Sequence, residues 1–295
     1  MNVSVRADLT INGCRERPAF VGPPGSAVFA CLHLPSRPAS RMVLFCSSIG
    51  AEWKYNYRRE VLVARRLSEL GVAAVRLHYL GAGHSDDGEL TFGGMVDDVG
   101  RVRDWACRQV GVQQVIYFGS RFGALVAAAA GRDSSSPLAC WDAPATGAAY
   151  FRDLFRILRV GRLAGSGTVD DMPDAHDLLC SGQYLDVLGY TVGPALYSSA
   201  RTISFADELG LPPRTVKLVE IGDAPRAQQG ASHVVSLAKR GFDVAASVVP
   251  EGGRSWWFHD PDWRPVEQRE AVSSLVEETA AWLAAVACEQ VSHGS

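Results

Sequence analysis

The sequence predicts an α/β fold built around a mostly parallel, doubly wound sheet. Three observations carry that prediction. Short apolar runs alternate with amphipathic stretches over most of the 295 residues, the pattern of strands joined by crossover helices. The segment 115–130, VIYFGSRFGALVAAAA, reads as a buried strand, a tight glycine corner and a helix of small residues. The alternation stops at 145 and resumes after 210, so an insertion interrupts the sheet.

Taken in order, residues 3–11 and 27–34 read as two antiparallel strands joined by the Pro-Pro-Gly turn at 23–25. Residues 42–46 form a continuous apolar run, as a strand covered on both faces requires. A small-residue loop follows. Residues 56–70 carry Val61, Leu62, Ala64, Leu67 and Leu70 at helical spacing, and Gly71 closes that helix. A strand is expected at 73–80, a loop at 81–88 and a helix at 95–110. Further strands follow at 115–118 and 138–141. Within 145–210 the helical pieces fall at 150–158 and 178–187, separated by glycine-rich links. The alternation then gives a strand at 215–221, a helix at 231–240, a strand at 244–249 and a helix at 266–286. Strand–helix–strand units of this kind predict right-handed crossovers in one parallel sheet.

Composition narrows the function classes. A net charge of −3 offers no broad attraction to nucleic acid or to an anionic membrane. No run is long and apolar enough to span a bilayer, and residues 1–10 lack the apolar core of a signal peptide. The seven cysteines are scattered, with no C-x-x-C pair, so reduced thiols and a cytoplasmic location are expected rather than a disulfide framework or a zinc site. No metal or nucleotide motif is present: there is no H-x-x-x-H, no Walker sequence, and no G-x-G-x-x-G after the first parallel strand. No cofactor is expected. The Asp86-Asp87 and Asp97-Asp98 pairs read as solvated faces. A small molecule or peptide is the expected substrate, and the oligomeric state stays open.

The glycine corner Gly119-Ser120-Arg121-Phe122-Gly123 has the layout of the G-x-S-x-G nucleophile elbow, with Arg121 at its centre instead of Ser. With this corner and this order of elements, the chain resembles the α/β-hydrolase superfamily over nearly its whole length. More closely it is similar to the group described as exosortase A system-associated hydrolase, type 2. The closer likeness lies in the arginine elbow and in Trp141–Gly147 with Tyr150 and Arg156. The segments 188–196 and 250–257 add to it. The resemblance implies an α/β-hydrolase fold with core parts at 1–144 and 211–295 and a helical cap at 145–210 over the carboxyl ends of the strands.

The resemblance also implies where a triad would lie, and each position can be inspected. Arg121 cannot be a nucleophile, because its guanidinium stays protonated. Ser120 is adjacent but one residue early, and one residue in a tight turn aims the side chain elsewhere. The acid position after the strand at 215–221 holds Asp223, which reads equally as a turn aspartate. The base position after 244–249 holds His259, a few residues late. His84 lies in a loop like the family's structural glycine turn, with His78 where that turn usually has Asp. The oxyanion donors would be the N–H of Phe122 and those of Ser47, Ser48 and Ile49. Cys46 ends a buried strand and reads as packing. Trp256, Trp257 and Trp263 either line an apolar ligand pocket or pack the last loop on the sheet.

Arg121 is the most informative residue. A guanidinium buried at a helix start meets partial positive charge and loses its water. It therefore needs an internal carboxylate, with Asp142 and Asp223 as candidates, or a ligand carboxylate or phosphate. A third arrangement lets it reach solvent along its aliphatic stem. The internal partner is preferred, since a bare buried arginine would destabilise the unliganded protein. Three functions remain open. The first is an atypical enzyme of small-molecule or peptide metabolism without a Ser-His-Asp triad, catalysing a non-hydrolytic step such as isomerisation, epimerisation or cyclisation. The second is an ester, thioester or amide hydrolase using Ser120 with His259. The third is an inactive binding partner in a biosynthetic complex.

Overall fold

The structure is a computed structural model describing residues 3–5, 7–11, 13–166, 174–211, 214–222, 233–249 and 270–289. Its centre is a ten-stranded sheet. The strands are β1 (Val3–Val5), β2 (Leu9–Ile11), β3 (Cys14–Val21), β4 (Val28–Leu34), β5 (Met42–Cys46), β6 (Ala73–Leu77), β7 (Val115–Ser120), β8 (Leu138–Trp141), β11 (Thr215–Ile221) and β12 (Asp243–Val249). A separate two-stranded hairpin pairs β9 (Leu185–Val187) with β10 (Tyr190–Val192). The main order is β1-β3-β4-β6-β5-β7-β8-β11-β12, with β2 paired to β3. From β6 to β12 every neighbour is parallel, and β1 to β4 add an antiparallel edge. The six expected core strands thus share one sheet.

β5, β6, β7 and β8 are buried along their whole length, which is why they are largely apolar, Arg76 in β6 being the one charged residue in these four strands. Alternate residues feed two cores. Met42, Leu44, Val75 and Tyr117 pack with α2 (Phe92–Val110) and α3 (Phe122–Ala130). Val43, Phe45, Ile116 and Trp141 face α1 (Gly50–Glu69) and α9 (Glu270–Glu289). The chain leaves β5 toward β6 on one side and reaches β7 on the other. The carboxyl ends of β5 and β7 therefore flank the topological switch point, where open α/β sheets bind ligands.

Several boundaries differ from expectation. β4 pairs across the Pro-Pro-Gly turn with β3, and the first strand expected is two short pieces, β1 and β2, laid on the far side of β3. Apolar alternation missed β3 because its inward Glu16 is charged; that carboxylate is buried against Arg65 and His33. The helix expected at 178–187 ends as α5 (Ala175–Cys180), since Gly182 turns at φ 84°. Leu188 and Gly189, both at positive φ, then make the β9–β10 hairpin turn. Finally, α1 starts at Gly50 rather than at 56, and this brings Glu52 into its first turn.

The segment between β8 and β11 holds α4 (Gly147–Ser166), α5, the hairpin, α6 (Pro194–Ala200) and α7 (Phe205–Glu208). It is stitched to the sheet domain at several points. The Phe92 N–H donates to Ser199 Oγ at 3.0 Å, and the Tyr184 hydroxyl donates to Glu89. Tyr190 covers Gly50, the first residue of α1. Residues 233–239 form α8.

Candidate functional site

The site is built on the corner between β7 and α3. Gly119 and Gly123 are there because nothing larger fits. A Cβ on Gly123 would lie 2.0 Å from the Cys46 carbonyl oxygen, and one on Gly119 would lie 2.5 Å from Ala124 Cα. Between them Arg121 takes φ 51° and ψ −119° as the N-cap of α3. That conformation costs a non-glycine residue on the order of 1–3 kcal/mol and persists only where the surroundings enforce it. Here the Arg121 N–H donates to the Trp141 carbonyl at 2.9 Å, and its carbonyl accepts from the Ala124 N–H at 3.0 Å.

The Arg121 side chain is buried and ion-paired. Its Nε donates to Glu52 Oε1 at 3.2 Å, its Nη2 lies 3.8 Å from Asp153 Oδ2, and its Nη1 donates to the Asp142 carbonyl at 3.5 Å. Its guanidinium carbon is 5.6 Å from the centre of the Tyr150 ring. Burial alone would lower the guanidinium pKa, but Glu52, then Asp142, Tyr150 and Asp153, reverse that and the net shift is upward. The internal-partner expectation therefore holds, and among the described residues Glu52 and Asp142 act most strongly on the charge. Asp142 contributes its charge and its carbonyl, while its Oδ1 accepts from the Ile221 N–H at 2.8 Å. The carboxylate on Arg121 Nε comes from α1.

One face of α1 supplies the rest of the polar chemistry. Glu52, Asn56 and Glu60 lie at i, i+4 and i+8, and all three are buried. Ser48 Oγ donates to Glu52 Oε2 at 2.6 Å. Glu60 takes Ser47 Oγ on one oxygen and Ser120 Oγ on the other, both at 2.5 Å. Burial raises the Glu60 pKa; the hydrogen bonds from Ser120 and Ser47 and the charge of Arg76 pull it partly back. Ser120, Ser47 and Ser48 are thus tied to α1 carboxylates. Ser120 has no exposed surface.

The remaining candidates separate clearly. Phe122 opens α3 and packs against Tyr150 with the rings tilted, 4.9 Å between centroids. Ile49 is the N-cap of α1 and is buried. Cys46 is fully buried and its thiol is pushed well above the usual range by desolvation, then by Glu60, which suits packing. His84 is exposed, and its N–H donates to His78 Nδ1 at 3.0 Å. Burial, then Arg76 and His84, lower the His78 pKa to about 3, so its ring is a neutral part of the turn. Asp223, Trp256, Trp257, Trp263 and His259 lie outside the described residues.

One cluster among the described residues, Cys14, Glu16 and His33, has ligand atoms close enough for a metal ion. Its electrostatics oppose one. Arg65 donates to Glu16 at 2.7 Å and Arg76 donates to His33 Nε2 at 3.0 Å, so two guanidiniums already fill the cation's place. A surface cleft of about 790 Å³ lies elsewhere, lined by Arg132, Asp207, Leu211 and Arg240 near the start of β8.

Glu52, Glu60 and Asp153 escaped the sequence reading. Charged residues opposite an apolar stripe ordinarily face water. The available signal was a Glu-x3-Asn-x3-Glu row beginning six residues after the end of β5.

Comparison with solved structures agrees with this fold. The chain superposes on Est1E from Butyrivibrio proteoclasticus with a TM-score of 0.61 at 18% identity, covering 93% of this chain and 99% of that one. An α/β serine hydrolase homologue from Coxiella burnetii gives 0.54 at 14% identity, covering 95% and 99%. Dienelactone hydrolase from Anabaena variabilis gives 0.53 at 14% identity, covering 91% and 96%. No family model and no curated protein matches the sequence. The chain has the α/β-hydrolase fold.

Proposed function

We propose that this chain is an atypical α/β-hydrolase-fold enzyme of small-molecule or peptide metabolism, without a Ser-His-Asp triad. It carries out a non-hydrolytic step such as isomerisation, epimerisation or cyclisation. The supporting observation is the occupant of the elbow. A guanidinium ion-paired to Glu52 offers charge and hydrogen bonds to a substrate oxygen, but no electron pair for attack on a carbonyl. Replacing a buried ion pair by apolar residues is often neutral or stabilising. Its presence at the switch point supports a working site over an inert one. The likeness to exosortase A system-associated hydrolases, type 2, belongs to this proposal. So do a cap formed by residues 145–210 and a cytoplasmic setting, which the free cysteines of the chain suit.

A serine-directed fluorophosphonate should leave the protein unlabelled, and nitrophenyl esters should be turned over poorly. Labelling and ester hydrolysis that both vanish in Ser120→Ala, with folding intact, would instead establish a hydrolase that uses a displaced serine. Ser120 would have to leave Glu60 and its buried position to serve in that role.

A further inference from the structure

We infer that β12 is a self-association edge, and that two copies of this chain pair through it as antiparallel strands about a two-fold axis at Ala246. β12 ends the sheet, with β11 as its one neighbour among the described residues. The opposite edge is made of short pieces, β1 and β2, of three residues each. β12 is built differently. It runs seven residues beside β11 in unbroken parallel register, without a bulge. Its sequence, Asp-Val-Ala-Ala-Ser-Val-Val, has no proline or lysine, and its one charge stands at its first residue. Shortness, lysine, proline and bulges are the devices that keep a free edge from pairing. β12 carries none of them.

The ladder with β11 fixes which backbone groups face outward. The Asp243 N–H donates to the Arg214 carbonyl at 3.3 Å, and the Val249 carbonyl accepts from the Gly222 N–H at 3.1 Å. Asp243 and Val249 therefore face β11, and so do Ala245 and Ser247, the alternate residues between them. Val244, Ala246 and Val248 point their N–H and C=O groups away from the sheet. Ala246 and Val248 are exposed, Val248 at 45%. Outward residues centred on Ala246 make the edge complementary to itself. Laid antiparallel, Ala246 meets Ala246 of the second copy and Val244 meets its Val248, each pair exchanging both N–H···O=C bonds. The side chains on that seam are alanine and valine, too small to block the approach. Asp243 comes opposite Val249 of the second copy and not opposite another carboxylate. A second copy is the occupant this edge fits, because the outward backbone groups, the small apolar side chains and the place of the charge all obey one two-fold axis.

Sedimentation velocity on the full chain across a dilution series tests the inference. The wild type should sediment as a dimer that dissociates on dilution. Ala246→Lys sets two like charges face to face across the axis and leaves every bond to β11 in place. It should raise the dissociation constant about tenfold or more. Ala246→Glu should do the same, and mixing the two variants in equal parts should restore a dimer. Amide hydrogen exchange on the wild type gives a second readout. The N–H groups of Ala246 and Val248 should exchange slowly in the dimer and fast on dilution, while those of Ala245 and Ser247 stay protected by β11. This pattern decides the matter even if a variant fails to fold. A wild type that is monomeric throughout, a dimer that neither variant weakens, or variants that stay monomeric when mixed would each overturn the inference. Slow exchange at Ala246 in the monomer would also overturn it, by showing that the chain covers its own edge.

Discussion

Two buried arginines, Arg121 and Arg214, stand at opposite ends of the sheet and are held in opposite ways. Arg214, just before β11, is 1% exposed. It spends its donors on the backbone: Nε reaches the Ser136 carbonyl at 2.7 Å, and Nη1 reaches the carbonyls of Ala128 and Leu209, both at 3.4 Å. Burial lowers its pKa to about 10. It fastens the end of α3, the approach to β8 and the end of α7 to one another. Arg121 sits on strained backbone at the carboxyl end of β7, its charge stabilised by carboxylates. The carbonyl-bound arginine holds scaffold together at the end of the sheet away from the switch point. The carboxylate-bound arginine keeps a full charge ready at the switch point.

Removing each charge should separate the two roles. Arg121→Met strands Glu52 beside Asp142 and Asp153, and should cost about 3–5 kcal/mol in urea unfolding at neutral pH. Arg214→Met leaves carbonyls short of a donor but strands no carboxylate. It should cost about 1–3 kcal/mol by the same measurement. If Arg214→Met proved the more damaging, the contrast between the two ends would fail.

Glu60 gives the smallest effect and sharpens the picture beside the elbow. Its folded pKa is raised, so the folded protein holds that proton more tightly than the unfolded chain does. The resulting stabilisation is full below the ordinary carboxyl pKa and is lost as pH rises through the raised value. Glu60→Gln keeps the shape, should change stability at neutral pH by no more than about 1 kcal/mol, and should flatten that stretch of the stability–pH curve. An unchanged curve would mean that Glu60 is an ordinary carboxylate in the fold.

Much of the scaffold was legible because it obeys local rules. Continuous apolar runs gave β5, β7 and β8, and the Gly119–Gly123 spacing gave the corner, since backbone crowding there admits only glycine. The need of Arg121 for a buried carboxylate was also legible, from desolvation alone. The part of Glu52 was not. Asp142 and Asp223 were chosen because they end strands near the corner in a parallel sheet. Glu52 lies 69 positions before Arg121, on a helix whose polar residues look solvated in sequence, and whose start was placed six residues late. β3 was lost for a related reason: Glu16 faces inward to an arginine and a histidine, and periodicity cannot see a charge that is satisfied by tertiary contact.

The central claim is that the elbow centre is one half of an ion pair with Glu52. A double-mutant cycle in urea unfolding tests it directly, with Glu52→Gln, Arg121→Met and the combined variant. The ion-pair reading predicts that each single change is costly and that the second change recovers much of the first, with a coupling of about 2 kcal/mol or more. Costs that add within about 0.5 kcal/mol would contradict it, and would show that Arg121 and Glu52 are neighbours without being partners.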